Sequence, residues 1–567
     1  YHAGQTGASE IEGLQSQHVA ATVQHYALND LETNRMTDSS DASVRTMQEI
    51  DLPAFETAVK QAHVASVMCS YNLVNNVDAC QNGYLLRTVL DKQFGFKGWV
   101  MSDWGGTHST VAAANTGLDQ EMNITAGTYF APKALIPAIE HHQVSMSIVN
   151  EMVERIMDGL FSVGAFDHPA PAAPIAATAI VNTPQEKDVA LQAAEGGAVL
   201  LKDASGALPL RGTGQNIAVI GLPATPVGAQ LDYQGGGSSK VPITGTNPAV
   251  VDPLTAITVR AEANGDTVTP AAGATIPDAV LAAKTAQTAV VFIADGETEG
   301  NDRKTLSAVG SACALVCLPA VGPDQDALVS AVARANPNTI VVVQSGGPIA
   351  MPWLSQVRGV LDMWYPGEQD GNAASALLFG DVNPSGKLPY TFPKSVKQDP
   401  ISSARQWPGI PDKHGVPQSH YSEGLLVGYR WYDAKHLTPL FPFGFGLSYT
   451  KFTFSHLTVK KTANGATARF AVTNVGSQAG AEVAQLYVGD PKAAHEPPRQ
   501  LKGYEKVALR PGARKWVTLH LNNRSFAYWN TKANGWRVAP GCYSINVGDS
   551  SRHLPLRRRL CRAADAG

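Results

Sequence analysis

Between residues 1 and 165, short apolar runs alternate with stretches whose apolar residues recur every three or four positions. Ala20–His25, Val64–Tyr71 and Lys97–Met101 are the apolar runs, and each is the length of a strand. Pro53–Ala62 and Leu85–Phe94 lie between them with helical spacing. Pro53 suits a first helical turn, and Phe55 and Val59 fall on one face. The alternation predicts parallel strands joined by crossover helices. Each run ends in polar residues: Gln24 and His25, then Ser70, Tyr71 and Asn72, then Ser102 and Asp103. Parallel barrels place chemistry at that end of their strands, so three polar ends predict a (β/α)-barrel site.

A Pro/Ala stretch at 169–174 marks a linker over 166–185. A second α/β region follows over 186–395. Its predicted strands are Ala198–Leu201, Ile217–Ile220, Ala289–Ile293, Ile340–Val343 and Val360–Trp364, with helices at 323–335 and 369–379. Residues 396–440 are rich in turns and aromatics and are expected to wrap over the other domains. From 441 to 567 the period becomes two. Thr467–Thr473, Glu482–Val488 and Lys515–Leu521 alternate as strands of an antiparallel β-sandwich. The predicted class is multidomain α/β plus β, with no internal repeat.

The 567 residues are 44% hydrophobic and 16% charged, with a formal net charge of -4. No basic stripe points to nucleic acid. No apolar run reaches the ~18 residues of a membrane span. The six cysteines fall into three local groups: Cys69 with Cys80, Cys313 with Cys317, and Cys542 with Cys561. Even, local grouping predicts three disulfides and an oxidising compartment, and so a secreted or periplasmic protein. No Cys-x-x-Cys pair supports zinc.

Asp103 followed at once by Trp104 is the leading candidate for chemistry. A carboxylate beside an indole suits a sugar, because the acid meets the anomeric carbon while the ring covers an apolar sugar face. The plainer alternative is an Asp that caps a helix starting near Gly105. The second α/β region adds an acidic loop after a buried strand, Asp295 to Arg303, which contains Glu297 and Glu299. Acidic loops are usually solvated. Two carboxylates from two domains would nevertheless supply the pair a glycosidase needs, about 5–5.5 Å apart for retention of configuration. Gly235–Lys240 lacks the order of a phosphate-binding loop and reads as a flexible turn. His141 with His142 has no matching ligands, His495 with Glu496 precedes two prolines, and no Gly-x-Ser-x-Gly elbow occurs.

Taken together these segments resemble glycoside hydrolase family 3, the β-glucosidase group. The resemblance runs through His25–Asn29, Glu32–Arg35, Met68–Asn72, Gly95–Trp104, Gly117–Met122, Glu299–Arg303, Met351–Trp353, Trp364–Glu368, Asp381–Pro389 and Phe441–Tyr449. It implies a barrel, an α/β sandwich and a fibronectin type III-like domain. It implies Asp103 as nucleophile, Trp104 as a subsite wall, and His25 and Arg35 as sugar-binding residues. It also implies Tyr71 beside the nucleophile and Glu299 as acid/base, with Glu297 as the rival. Secretion and β-linked substrates are implied, and no metal or organic cofactor is expected.

Two departures stand out. Gln24 occupies the place of a family lysine, so it brings hydrogen bonds without charge. The family barrel also has a preceding segment that carries a sugar-gripping Asp. Eight βα units take about 250 residues, and residues 1–165 fall short of that, so the barrel is expected to be incomplete at its N-terminus. The expected activity is that of a retaining exo-β-glycosidase, a β-glucosidase first. A β-xylosidase or a catalytically impaired sugar-binding protein stands as the alternative.

Overall fold

The computed structural model describes residues 1–123, 127–170, 182–240, 247–271, 275–308 and 324–563. They form two compact units, each drawing on separate pieces of chain. The first takes Tyr1–Ala179, Pro400–Val427 and Tyr528–Arg537. The second takes Ile180–Asp399, Gly428–Ala527 and Val538–Gly567.

In the first unit the strands Thr22–Tyr26, Ser66–Cys69 and Trp99–Ser102 form a parallel sheet with Ser66–Cys69 in the middle. The register pairs Thr22 with Ser66 and Ser66 with Trp99, so the three C-terminal ends come out side by side. Among the described residues this parallel sheet has three strands. Leu52–Lys60 is a helix because Pro53 opens its first turn and Leu52, Phe55, Ala58 and Val59 bury one stripe. Tyr84–Phe94, wound with the wider π pitch, buries Leu85, Leu86, Val89, Leu90 and Phe94, then stops at left-handed Gly95. Gly98 has no room for a side chain, which would collide with the Ala65 carbonyl.

Residues 400–427 belong to this unit. Pro417–His420 pairs in parallel with Ser39–Asp41, which in turn pairs with Leu73–Val74. Ser419 Oγ donates to Asp38 Oδ1 at 2.7 Å, and Tyr421 Oη donates to Asp30 Oδ2 at 2.8 Å. In the third piece, Trp529 N–H donates to Glu49 Oε1 at 2.8 Å.

The second unit contains a six-stranded sheet. Its order is Val199–Asp203, Gly359–Asp362, Thr339–Gln344, Thr288–Ala294, Asn216–Ile220 and Thr267–Ala271. The first strand runs antiparallel to its neighbour and the other pairings are parallel. Thr288–Ala294 and Thr339–Gln344 are central and almost wholly buried, which is why they read as continuous apolar runs. Apolar clusters cover both faces of the sheet. The edge strand Thr267–Ala271 was not among the predicted elements.

The same unit carries a β-sandwich. One sheet is Phe452–Thr462, Gly465–Asn474 and Arg514–Asn522. The other is Gln500–Leu509, Gly480–Gly489, Gly541–Gly548 and Leu556–Arg562. Phe470, Val472, Leu486, Val517, Tyr543 and Ile545 fill its core. The expected class, α/β elements followed by a β-sandwich, is the one the chain adopts. Two of the expected disulfides are present, Cys69–Cys80 and Cys542–Cys561. Cys313 and Cys317 lie outside the described residues.

Candidate active site

The first group of candidate residues sits at the strand ends of the first unit. Asp103 follows Trp99–Ser102, and its N–H donates to the Cys69 carbonyl at 3.1 Å, which continues the sheet one residue further. Its side chain is almost buried. Trp104 N–H donates to Asp103 Oδ1 at 2.7 Å. The other oxygen, Oδ2, is buried without a hydrogen-bond partner among the described residues and lies 3.4 Å from His25 Nε2. One oxygen is therefore held and the other is left without a donor among the described residues. No helix starts at Gly105, since the next helix is Val111–Thr116, so Asp103 is not a helix cap.

The neighbours follow from the same strand ends. His25 leaves Thr22–Tyr26, and the Gln24–His25 peptide is cis. Gln24 itself is exposed. Tyr71 Oη donates to the Trp104 carbonyl at 3.2 Å, tying the second strand end to the third. The Arg35 guanidinium lies 4.9 Å from the Tyr71 ring centre, and its Nη1 is 3.0 Å from Glu32 Oε2. Trp104 is 43% exposed, enough indole for a ligand to cover. His25, Arg35, Tyr71, Asp103 and Trp104 thus form one connected group. Cys69–Cys80 anchors the segment that contains Tyr71.

Two further acids of this unit have structural tasks that the sequence reading did not assign. Asp119 Oδ2 accepts the Val100 N–H at 2.8 Å and so braces the strand that leads to Asp103. Burial pushes its carboxyl up to about 7. Glu121 accepts N–H groups from Thr128, Tyr129 and Phe130 at 3.0, 3.0 and 2.7 Å and folds that loop around itself. Both side chains are committed to the backbone.

The second group lies in the second unit, in the loop after Thr288–Ala294. The loop opens on a buried acid. The Asp295 side chain is 2% exposed. It pairs with Arg303 and accepts from Tyr365 Oη at 2.7 Å and from Gly346 N–H at 3.2 Å. Arg303 also donates to the Pro348 carbonyl and lies 3.2 Å from Glu297 Oε1. Burial raises the carboxyls of both Asp295 and Glu297, and Arg303 opposes the rise in each. Glu299 Oε2 accepts the Ser238 N–H at 2.7 Å. The Arg303 and Tyr365 partners were not foreseen. Tyr365 is 70 residues away in sequence from Asp295, and no local signal links them.

Among the described residues, no three His, Cys, Asp or Glu side chains gather in a way that would hold a metal ion, and no helix is long and apolar enough to cross a membrane.

Comparison with known proteins matches these features along the chain. Residues 1–158 match the family model described as Glycosyl hydrolase family 3 N terminal domain. Residues 198–449 match the Glycosyl hydrolase family 3 C-terminal domain, and 482–551 match the Fibronectin type III-like domain. Thermostable beta-glucosidase B of Acetivibrio thermocellus is 37% identical, over 99% of this chain and 71% of its own. An exo-alpha-(1->6)-L-arabinopyranosidase of Bifidobacterium breve is 36% identical, over 98% of this chain and 71% of its own. Among solved structures, a beta-D-glucoside glucohydrolase from Trichoderma reesei superposes with a TM-score of 0.88 at 35% identity, covering 98% of this chain and 81% of that one. With its domain matches in order and its relatives this similar over most of their length, the chain belongs to glycosyl hydrolase family 3.

Proposed function

We propose that the chain is a retaining, exo-acting β-glucosidase that releases terminal β-D-glucosyl residues. Residues 1–165 supply the nucleophile, 186–395 supply the acid/base loop, and 441–567 form the fibronectin type III-like domain. One observation carries the reading: Asp103 is a nearly buried carboxylate with one oxygen held by Trp104 N–H and the other unpartnered beside His25. A carboxylate fixed through one oxygen is pre-oriented to attack with the other.

In this reading Asp103 Oδ2 bonds to the anomeric carbon as the glycosidic C–O bond breaks, and Glu299 gives its proton to the departing oxygen. Water then attacks the same carbon, Glu299 takes the water's proton, and the bond to Asp103 breaks. His25 and Arg35 bind sugar hydroxyls, Gln24 contributes hydrogen bonds from the rim, Tyr71 fixes the Trp104 backbone, and the Trp104 ring covers a sugar face. Glu299 is preferred to Glu297 because it opens the Glu299–Arg303 segment through which the chain resembles the family. The disulfides support secretion, since such bonds persist in oxidising compartments.

The test is hydrolysis of an aryl β-D-glucoside with the anomer of released glucose followed by NMR, beside trapping with a 2-deoxy-2-fluoroglucoside. First-formed β-glucose and label on Asp103 are expected. Label on Asp119 or Glu121 would overturn the assignment. The arabinopyranosidase relative makes aryl α-L-arabinopyranoside the informative competitor, with aryl β-D-xyloside as the third substrate. A higher kcat/KM on either would replace glucose as the preferred sugar.

A further inference from the structure

Gly235, Gly236 and Gly237 lead into a single tight turn, Gly237–Ser239, that lies against the acidic loop of the second unit. Ser238 N–H reaches Glu299 Oε2 at 2.7 Å. The glycines are fitted to this approach. A Cβ on Gly236 would stand 2.9 Å from the Glu297 carbonyl oxygen. A Cβ on Gly237 would stand 2.5 Å from Glu299 Cβ and 3.0 Å from Glu299 Oε2, and Gly237 holds φ +66. Ser239 Oγ closes the turn on the Gly236 carbonyl at 3.2 Å. Bare backbone therefore lies directly on the Glu299 side chain.

We propose that this glycine strap is a positioning element for the acid/base, with the Ser238 N–H orienting the Glu299 carboxylate and favouring its ionised form. The proposal rests on the assignment of Glu299 given above. When Glu299 protonates the leaving oxygen, the electrons of the broken C–O bond stay on that oxygen and Glu299 becomes a carboxylate. That carboxylate later takes a proton from the attacking water. An N–H donor on one carboxylate oxygen stabilises the charged state. It therefore keeps Glu299 ionised for the second step and sets the pH above which too little protonated Glu299 remains for the first.

Ser238→Pro removes the N–H, and Gly237→Ala lifts the backbone from Glu299, so the two act by different routes. For each, kcat/KM is measured against pH on 4-nitrophenyl and 2,4-dinitrophenyl β-D-glucosides, with circular dichroism to confirm folding. The alkaline limb is expected to move up by roughly half to one pH unit. The poorer leaving group is expected to lose about tenfold in rate and the better one markedly less. An unmoved limb with equal losses on both substrates, in whichever variant folds, overturns the strap. Azide rescue of Glu299→Ala is scored in parallel. Without rescue the acid/base assignment itself falls, whereas rescue with an unmoved limb defeats only the strap.

Discussion

His25 Nε2 stands 3.4 Å from Asp103 Oδ2, the oxygen of that carboxylate which no hydrogen-bond donor reaches among the described residues. The two residues leave different strands, and the parallel register of the sheet brings them together. The imidazole borders the oxygen without satisfying it. An unsatisfied buried acceptor is costly in a resting protein, and the proposed bond to a sugar carbon gives that oxygen its task.

Asp103→Asn keeps the shape and the Trp104 N–H bond but removes the attacking charge. Turnover of aryl β-D-glucosides should fall by several orders of magnitude. The free energy of unfolding from a urea titration should change by less than ~1 kcal/mol. Steady-state kinetics and a denaturation curve check both.

His25→Ala should lower kcat/KM on aryl β-D-glucosides by about 10²-fold, as expected for misplacing substrate by an ångström. Labelling by the fluorosugar should slow with it. Unchanged labelling with weakened binding would confine His25 to holding sugar.

Arg303→Met leaves Asp295 buried without its cation, because the Asp295 side chain is 2% exposed. Removing one partner of a buried pair typically costs about 3–5 kcal/mol. A urea titration should show a loss of that order. Lys515→Met provides the contrast, since Lys515 is 51% and its partner Glu505 34% exposed, and an exposed pair of this kind contributes ~0.5 kcal/mol.

Asp362 is fully buried, and burial, opposed by the Trp364 N–H and reinforced by Asp295, raises its carboxyl from 3.8 to about 8. Between those values the folded chain holds a proton that the unfolded chain has released. Its contribution is therefore complete below about pH 4 and is lost as pH rises through about 8. Asp362→Asn removes this titration, so stability should fall less from pH 5 to pH 8 than in the parent. Urea curves at the two pH values decide, and identical slopes would count against the assignment.

Non-reducing peptide mapping should recover Cys69 with Cys80 and Cys542 with Cys561. Reduction should lower the melting temperature, since a native disulfide typically contributes about 2–4 kcal/mol. Free thiols at either pair would argue against an oxidising compartment.

What the sequence revealed depended on how local the physics was. The strands Ser66–Cys69, Thr288–Ala294 and Thr339–Gln344 were legible because burial on both faces writes an unbroken apolar run. Thr267–Ala271 was not, because it sits at the sheet edge, is half-exposed and contains Pro270, which edges tolerate. Pro417–His420 is short and polar and becomes a strand by pairing with Ser39–Asp41, far away in sequence. The acidic loop was visible, but its burial was not, because Tyr365 and Gly346 approach Asp295 from later strands. Gly235–Lys240 read as a flexible turn, and its seat on Glu299 appears only in three dimensions.

The first unit is stitched from three stretches of chain, the last of them Tyr528–Arg537. During synthesis its early strands therefore emerge long before their final partners exist. At a ribosome's pace of about 5–20 residues per second, the closing piece arrives on the order of tens of seconds after residue 179. Until then Ser39–Asp41 lacks its Pro417–His420 neighbour and Glu49 lacks the Trp529 amide. A newborn chain of this design can complete this unit only after residues 528–537 are made, and a stop codon before them would take the Trp529 amide away from Glu49.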